Sequence, residues 1–129
     1  MFLHIDPHNG LAVYDQIVRQ VKFAVAEGAL ASGDLAPSVR ELARELAINP
    51  NTVARAYRQL QDEGVLEAVR GTGLAVTPAA RKACQQQRKT LLAERLSLVL
   101  SEALAAGLEP EAVRKLCETE LSRLVRKQR

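Results

Sequence analysis

Between Asn49 and Leu60 the sequence carries amide, hydroxyl and guanidinium groups at the spacing of one helical face. At about 100° per residue, Asn51, Arg55 and Arg58 point the same way, flanked by Thr52, Ala54 and Gln59. No carboxylate interrupts this face. Amide and guanidinium groups pair with base edges, and guanidinium and hydroxyl groups hold phosphates. An ordinary solvated helix face has similar chemistry and is far commoner when such a helix stands alone. The neighbouring elements therefore decide between the two.

Other reactive residues form no comparable set. His4 and His8 sit in an N-terminal arm expected to be loose, where histidines are ordinarily just polar. Cys84 and Cys117 lie 33 residues apart, and neither has a second ligand at the spacing of a zinc site. Two reduced thiols are expected, and a disulfide between the two C-terminal helices lacks support. The chain has no P-loop and no glycine-rich dinucleotide turn, and Ser38 has no local triad signature. No catalytic residue, metal or cofactor is expected.

The elements that must carry the polar face read clearly. Asn49 suits an N-cap, Pro50 the first helical position and Gly64 the stop of one helix. Its opposite face, Val53, Ala56, Tyr57 and Leu60, is apolar. Before it, Pro37 to Leu46 reads as a helix opened by the capping box Ser38-Val39-Arg40-Glu41, with Val39, Leu42, Ala43 and Leu46 as its buried stripe. Arg40 falls in its exposed first turn. Ala47-Ile48 is a short turn, so the pair forms a helix-turn-helix, whose second helix enters a major groove N-terminus first.

Tyr14 to Ala29 is a first helix on Ile17, Val18, Val21 and Val25, with Arg19, Gln20 and Lys22 facing out and Gly28 closing it. Leu30 and Leu35 are expected to anchor the connection that follows. After Gly64 the period changes. Val65 to Val69 and Leu74 to Thr77 flank Arg70-Gly71-Thr72-Gly73, a hairpin whose glycine-rich tip lets Arg70 approach a phosphate or minor groove. A helix-turn-helix followed by such a hairpin is a winged helix.

Composition bounds the function. The chain of 129 residues suits one core with an appendage. Aromatic content of 3% and the absence of Trp argue against a base-stacking single-strand binder. No apolar run is long enough to span a membrane and no signal peptide opens the chain, so a cytoplasmic protein is expected. Residues 1–78 hold seven Lys/Arg against nine Asp/Glu, net −2, while residues 79–129 hold eleven against six, net +5. If the first part binds DNA, it does so through local arginines rather than a basic bulk.

In order, Val13-Tyr14-Asp15-Gln16-Ile17, Gly33 to Ala43, Asn49 to Tyr57, Glu63-Gly64-Val65-Leu66 and Arg70 to Gly73 resemble the GntR family of bacterial transcription regulators, and within it the short YtrA-type subgroup. The resemblance covers about the first 78 residues. It implies that Arg40 contacts DNA, that Asn49, Asn51, Thr52 and Arg55 belong to the recognition helix, and that Gly71 lies in a wing entering the minor groove. It also implies a repressor, often encoded beside transporter genes. Several positions depart from the family pattern: Ala36 stands where Leu is usual, with Leu35 expected to supply the packing, Ser32 and Ala12 each replace a usual Pro, and Leu74-Ala75 replaces the usual Thr-Phe. Thr72 stands where a basic wing residue is common. With the acidic balance, this predicts modest nonspecific affinity.

The remainder reads as two helices, Ala79 to Ala106 and one opened by Glu109-Pro110. Leu92, Leu96, Val99, Leu100 and Ala103 line the first, and Val113, Leu116, Cys117, Leu121 and Leu124 the second. Two helices cannot bury two such stripes alone, and a second copy of the chain is the economical partner. About 50 residues in two helices are too few to enclose an ordinary small-molecule pocket within one subunit, and the sequence identifies no effector.

The expected architecture is mainly α with a small β-hairpin: a winged helix-turn-helix DNA-binding domain over 1–78 and a helical dimerisation region over 79–129. The expected function is a homodimeric repressor reading an inverted repeat on double-stranded DNA, with DNA-binding residues Ser38, Arg40, Asn49, Asn51, Thr52, Arg55, Arg58, Arg70, Gly71, Thr72 and Gly73. The competing reading is a winged helix that grips another protein and has no specific DNA target. A milder rival is an activator or architectural factor on the same DNA.

Overall fold

The computed structural model describes residues 3–128. In chain order it contains α1 (Val13–Glu27), α2 (Val39–Leu46), α3 (Pro50–Asp62), β1 (Leu66–Val69), β2 (Gly73–Val76), α4 (Ala80–Ala105) and α5 (Pro110–Lys127). Two compact units result, Met1–Lys89 and Thr90–Arg129.

The first unit is built on α3, against which both α1 and α2 pack. The core takes Ile17, Val18, Val21 and Val25 from α1, Leu42 and Ala43 from α2, and Val53, Ala56, Tyr57 and Leu60 from α3. These are the apolar stripes that the helical period requires. The ends form as the local chemistry dictates. Ser38 Oγ accepts the Glu41 amide at 3.1 Å, and Asn49 Oδ1 accepts the Asn51 amide at 2.8 Å. Gly28 ends α1 at φ +88°, a left-handed value that glycine takes without steric cost. The opening turns of α4 belong to this unit too: Ala80 and Cys84 enter its core, and Gln85 Nε2 donates to the Ala26 carbonyl.

β1 and β2 pair antiparallel, with Leu66 opposite Val76 and Val69 opposite Gly73. Residues 33–36 flank the far side of β2. Gly33 N–H donates to Val76 O, Val76 N–H to Asp34 O and Ala36 N–H to Leu74 O, each at 2.9 Å.

Three expectations are corrected. Leu35 does not anchor its connection or fill in for Ala36: its side chain is 48% exposed, and its backbone forms the bridge to Ala75 instead. Lys22 does not face solvent. It is buried, with its ammonium 2.7 Å from Glu63 Oε1 at the end of α3. The arm carrying His4 and His8 is not loose. Leu3 is buried, the Gln16 amide bonds the backbone of Asp6 and Leu11, and the Gln20 amide bonds both backbone groups of His4. Phe2 of that arm lies outside the described residues.

In the second unit α4 ends at Ala105, Gly107 closes the turn after it through its N–H to Leu104 O, and α5 begins at Pro110. Here the apolar stripes are left largely uncovered. Leu92, Leu96, Val99, Leu116, Leu121 and Leu124 are exposed, Val99 by 61% and Leu121 by 64%; Leu100 and Ala103 are half-buried, and Val113 alone is buried among the described residues of α5. A groove of about 460 Å³ runs between Leu96, Val99, Leu100 and Ala103 on one side and Val113, Leu116, Leu121 and Leu124 on the other. Both cysteines are free, Cys84 buried and Cys117 exposed. Among the described residues no helix is long and apolar enough to cross a membrane.

Candidate nucleic-acid interface

The outer face of α3 follows from its inner one. With Val53, Ala56, Tyr57 and Leu60 buried, Asn51, Arg55 and Arg58 are exposed and Thr52 is half-buried beside them. Asn49 accepts the cap bond on its side-chain oxygen, and its two amide donors remain for a ligand. Asn51 makes no side-chain bond to the described residues, which leaves both donors and its acceptor available. Arg40 is exposed at the second position of α2. Ser38 uses its oxygen as an acceptor in the cap, and its hydroxyl proton is still available to a phosphate.

The turn between α2 and α3 sets the angle between the helices that carry these two groups of residues. Ala47 takes φ 56°, ψ 47°, the left-handed region, and Ile48 N–H returns to Ala43 O at 3.0 Å. Tyr57 braces the same angle from inside, its hydroxyl donating to Pro37 O at 2.7 Å. Burial, and then the Glu41 carboxylate, push this phenol well above its ordinary pKa.

At the wing, Thr72 N–H closes the turn on Val69 O at 2.9 Å, and Gly71 sits at φ +76°. Arg70 is exposed at this tip. The Thr72 hydroxyl turns toward the Arg70 carbonyl, and Gly73 is already in β2. Thr72 and Gly73 also line a hollow of about 560 Å³ with Ser38 and Tyr57, and Glu41 and Glu45 give that hollow a negative lining. A negative lining of this kind disfavours a phosphate inside the hollow.

Residue types and spacing missed three contacts. Arg55 Cζ stacks 3.7 Å from the centroid of the Tyr14 ring. Lys22 pairs with Glu63, whose other oxygen accepts from Gln59 Nε2 at 3.1 Å. Tyr57 bonds Pro37 across 20 residues of chain. Each joins distant segments, and only a tyrosine at the polar margin of an apolar stripe hinted at the first.

Residues 13–76 match the family described as bacterial regulatory proteins, gntR family. The HTH-type transcriptional repressor YtrA of Bacillus subtilis is 38% identical over 109 residues, 84% of this chain and 84% of that protein. The chain belongs to the GntR family. Solved structures agree. A GntR family transcriptional regulator from Listeria monocytogenes is 31% identical, with a TM-score of 0.68 over 89% of this chain and 98% of its own. YtrA from Sulfolobus acidocaldarius, a GntR-family transcription factor, is also 31% identical, with a TM-score of 0.57 over 81% and 99%. This GntR chain is thus a DNA-binding transcription regulator whose α1–β2 segment is its winged helix-turn-helix and whose α4 and α5 follow as C-terminal helices.

Proposed function

We propose that this GntR regulator is a homodimeric repressor that reads an inverted repeat in double-stranded DNA. The observation that carries the reading is the exposed face of α3 from Asn51 to Arg58, which holds no carboxylate before Asp62 at the helix's far end, together with Arg40 exposed on α2 and Arg70 exposed on the wing. Arg40, Asn51 and Arg55 take base edges or the atoms beside them. Ser38, Thr52, Arg58 and Arg70 hold phosphates, Asn49 caps the reading helix, and Gly71, Thr72 and Gly73 shape the wing. The exposed apolar groove between α4 and α5 supports the dimer, because a contiguous patch of this kind is covered in a stable protein. Residues 1–78 serve as the reading head, onto which the opening turns of α4 pack, and the rest of 79–129 serves as the dimerising part. The repressor sense rests on the likeness to the Bacillus subtilis repressor, and control of its own operon and of transporter genes on the family resemblance.

Fluorescence anisotropy on DNA from upstream of its own gene, against scrambled DNA at two salt concentrations, tests this reading. Tight binding that prefers the native DNA, falls steeply with salt and saturates at two chains per site is expected. Arg40→Ala and Asn51→Ala should each weaken specific binding by about 1–3 kcal/mol without unfolding the protein. Unchanged operator affinity in a folded double mutant defeats the residue assignment. Salt-insensitive behaviour with no DNA preference would favour a winged helix that grips protein, the reading to which the net acidic head lends its weight.

A further inference from the structure

Arg55 differs from the other arginines of the reading face. Its guanidinium carbon lies 3.7 Å from the ring centroid of Tyr14, and among the described residues no carboxylate pairs with it. Tyr14 is the second residue of α1 and is packed, half-buried, against the core. The ring is therefore held by the fold, while the arginine above it is exposed. With Val13, Asn51 and Thr52 the pair lines an open hollow of about 370 Å³ beside the first turns of α3.

Stacking occupies the flat face of a guanidinium and leaves its edge donors free. An unrestrained arginine samples many rotamers and surrenders that freedom when it docks. One already stacked has given up much of it. We infer that Tyr14 is a positioning residue for sequence reading: its ring sets Arg55 in advance, so that the guanidinium edge meets DNA next to Asn51 and Thr52. The ring face does this work, and the tyrosine hydroxyl is not needed for it. The inference rests on the proposed DNA-reading role of α3 and adds to it a residue outside the helix-turn-helix.

The test uses the full chain and an operator selected from random double-stranded DNA, with scrambled DNA as control. Wild type, Tyr14→Phe, Tyr14→Leu, Arg55→Ala and the double variant Tyr14→Leu/Arg55→Ala are compared by anisotropy, with thermal melting to check folding. Tyr14→Phe should bind as wild type, because the ring is kept. Tyr14→Leu should weaken operator binding about three- to tenfold, more than it weakens binding to scrambled DNA. It should add nothing to Arg55→Ala. In nitrogen–proton spectra the Arg55 Nε–H signal should be displaced by the ring current in wild type and Tyr14→Phe, and return to its ordinary place in Tyr14→Leu. If leucine unfolds the head, Tyr14→Met takes its place.

Equal losses in Tyr14→Phe and Tyr14→Leu would overturn the inference and place the hydroxyl in the contact. A Tyr14→Leu effect that persists in the Arg55→Ala background would overturn it as well, because the ring would then act through the fold. Wild-type operator preference shared undiminished by Tyr14→Leu removes only the role of Tyr14. Failure of the wild type to select any operator removes the DNA-reading assignment itself.

Discussion

The ion pair between Lys22 and Glu63 yields an asymmetric prediction. The two groups are 2.7 Å apart, with side chains 7% and 33% exposed. At that separation and an effective dielectric of about 20, the gross attraction is about 6 kcal/mol, much of it offset by the cost of drying the ammonium. The halves of the pair are not equivalent. Glu63→Gln leaves a buried cation facing a neutral amide, and should destabilise the protein by about 2–3 kcal/mol. Lys22→Met removes the buried charge, fills the same slot with a chain of similar length, and leaves Glu63 with its Gln59 bond and partial hydration. That change should cost about 0–1 kcal/mol, and Glu63→Gln should add little once it is present. Urea denaturation followed by circular dichroism measures all three, at one protein concentration so that the proposed dimerisation contributes equally to each. Lys22→Met proving as costly as Glu63→Gln would refute the reasoning, and would mean that the attraction outweighs the burial cost.

Further expectations concern the turn, the buried phenol and the C-terminal helices. Ala47 carries a Cβ in the left-handed region, so Ala47→Gly should stabilise the head by about 0.5–1 kcal/mol, read as a raised urea midpoint at unchanged slope. The folded state holds the Tyr57 proton more tightly than the unfolded chain does. The resulting stability is whole below the unfolded phenol value of about 10 and is lost as pH rises from there toward the folded value. Tyr57→Phe should lose about 1 kcal/mol at neutral pH with the Pro37 bond, and decline less steeply than wild type in urea melts above about pH 10. Leu121→Asp, in the exposed apolar groove, should shift sedimentation toward the monomer while the head still melts as wild type, and an unchanged sedimentation coefficient would refute the proposed dimerisation through this groove.

What was legible in the sequence was local. The stripes of α1, α2 and α3, the caps at Ser38 and Asn49, and the glycine-rich tip each depend on residues within a turn or two of one another, and each formed where the spacing requires. The polar face of α3 was legible for the same reason. Lys22 was misplaced because its partner is 41 residues away, and an outward-looking lysine and a buried paired one share the same helical position. Leu35 was misread because hydrophobicity speaks for side chains, whereas the link to Ala75 is made by the backbone. The Tyr14 stack on Arg55 needed α1 and α3 placed side by side, which no window along the chain contains.

The strap formed by residues 33–36 has a consequence for how such regulators diverge. It bonds β2 through Val76 and Leu74, while Leu66 of β1 and Val76 are buried in the core. The wing is thus rooted at its base, and the tip from Arg70 to Thr72 contributes nothing to the interior. A loop held in this way is interchangeable. Its length and charge can drift, or be swapped by design, without refolding the head, so under the proposed function whatever the wing contributes to DNA preference can evolve on a timetable separate from α3.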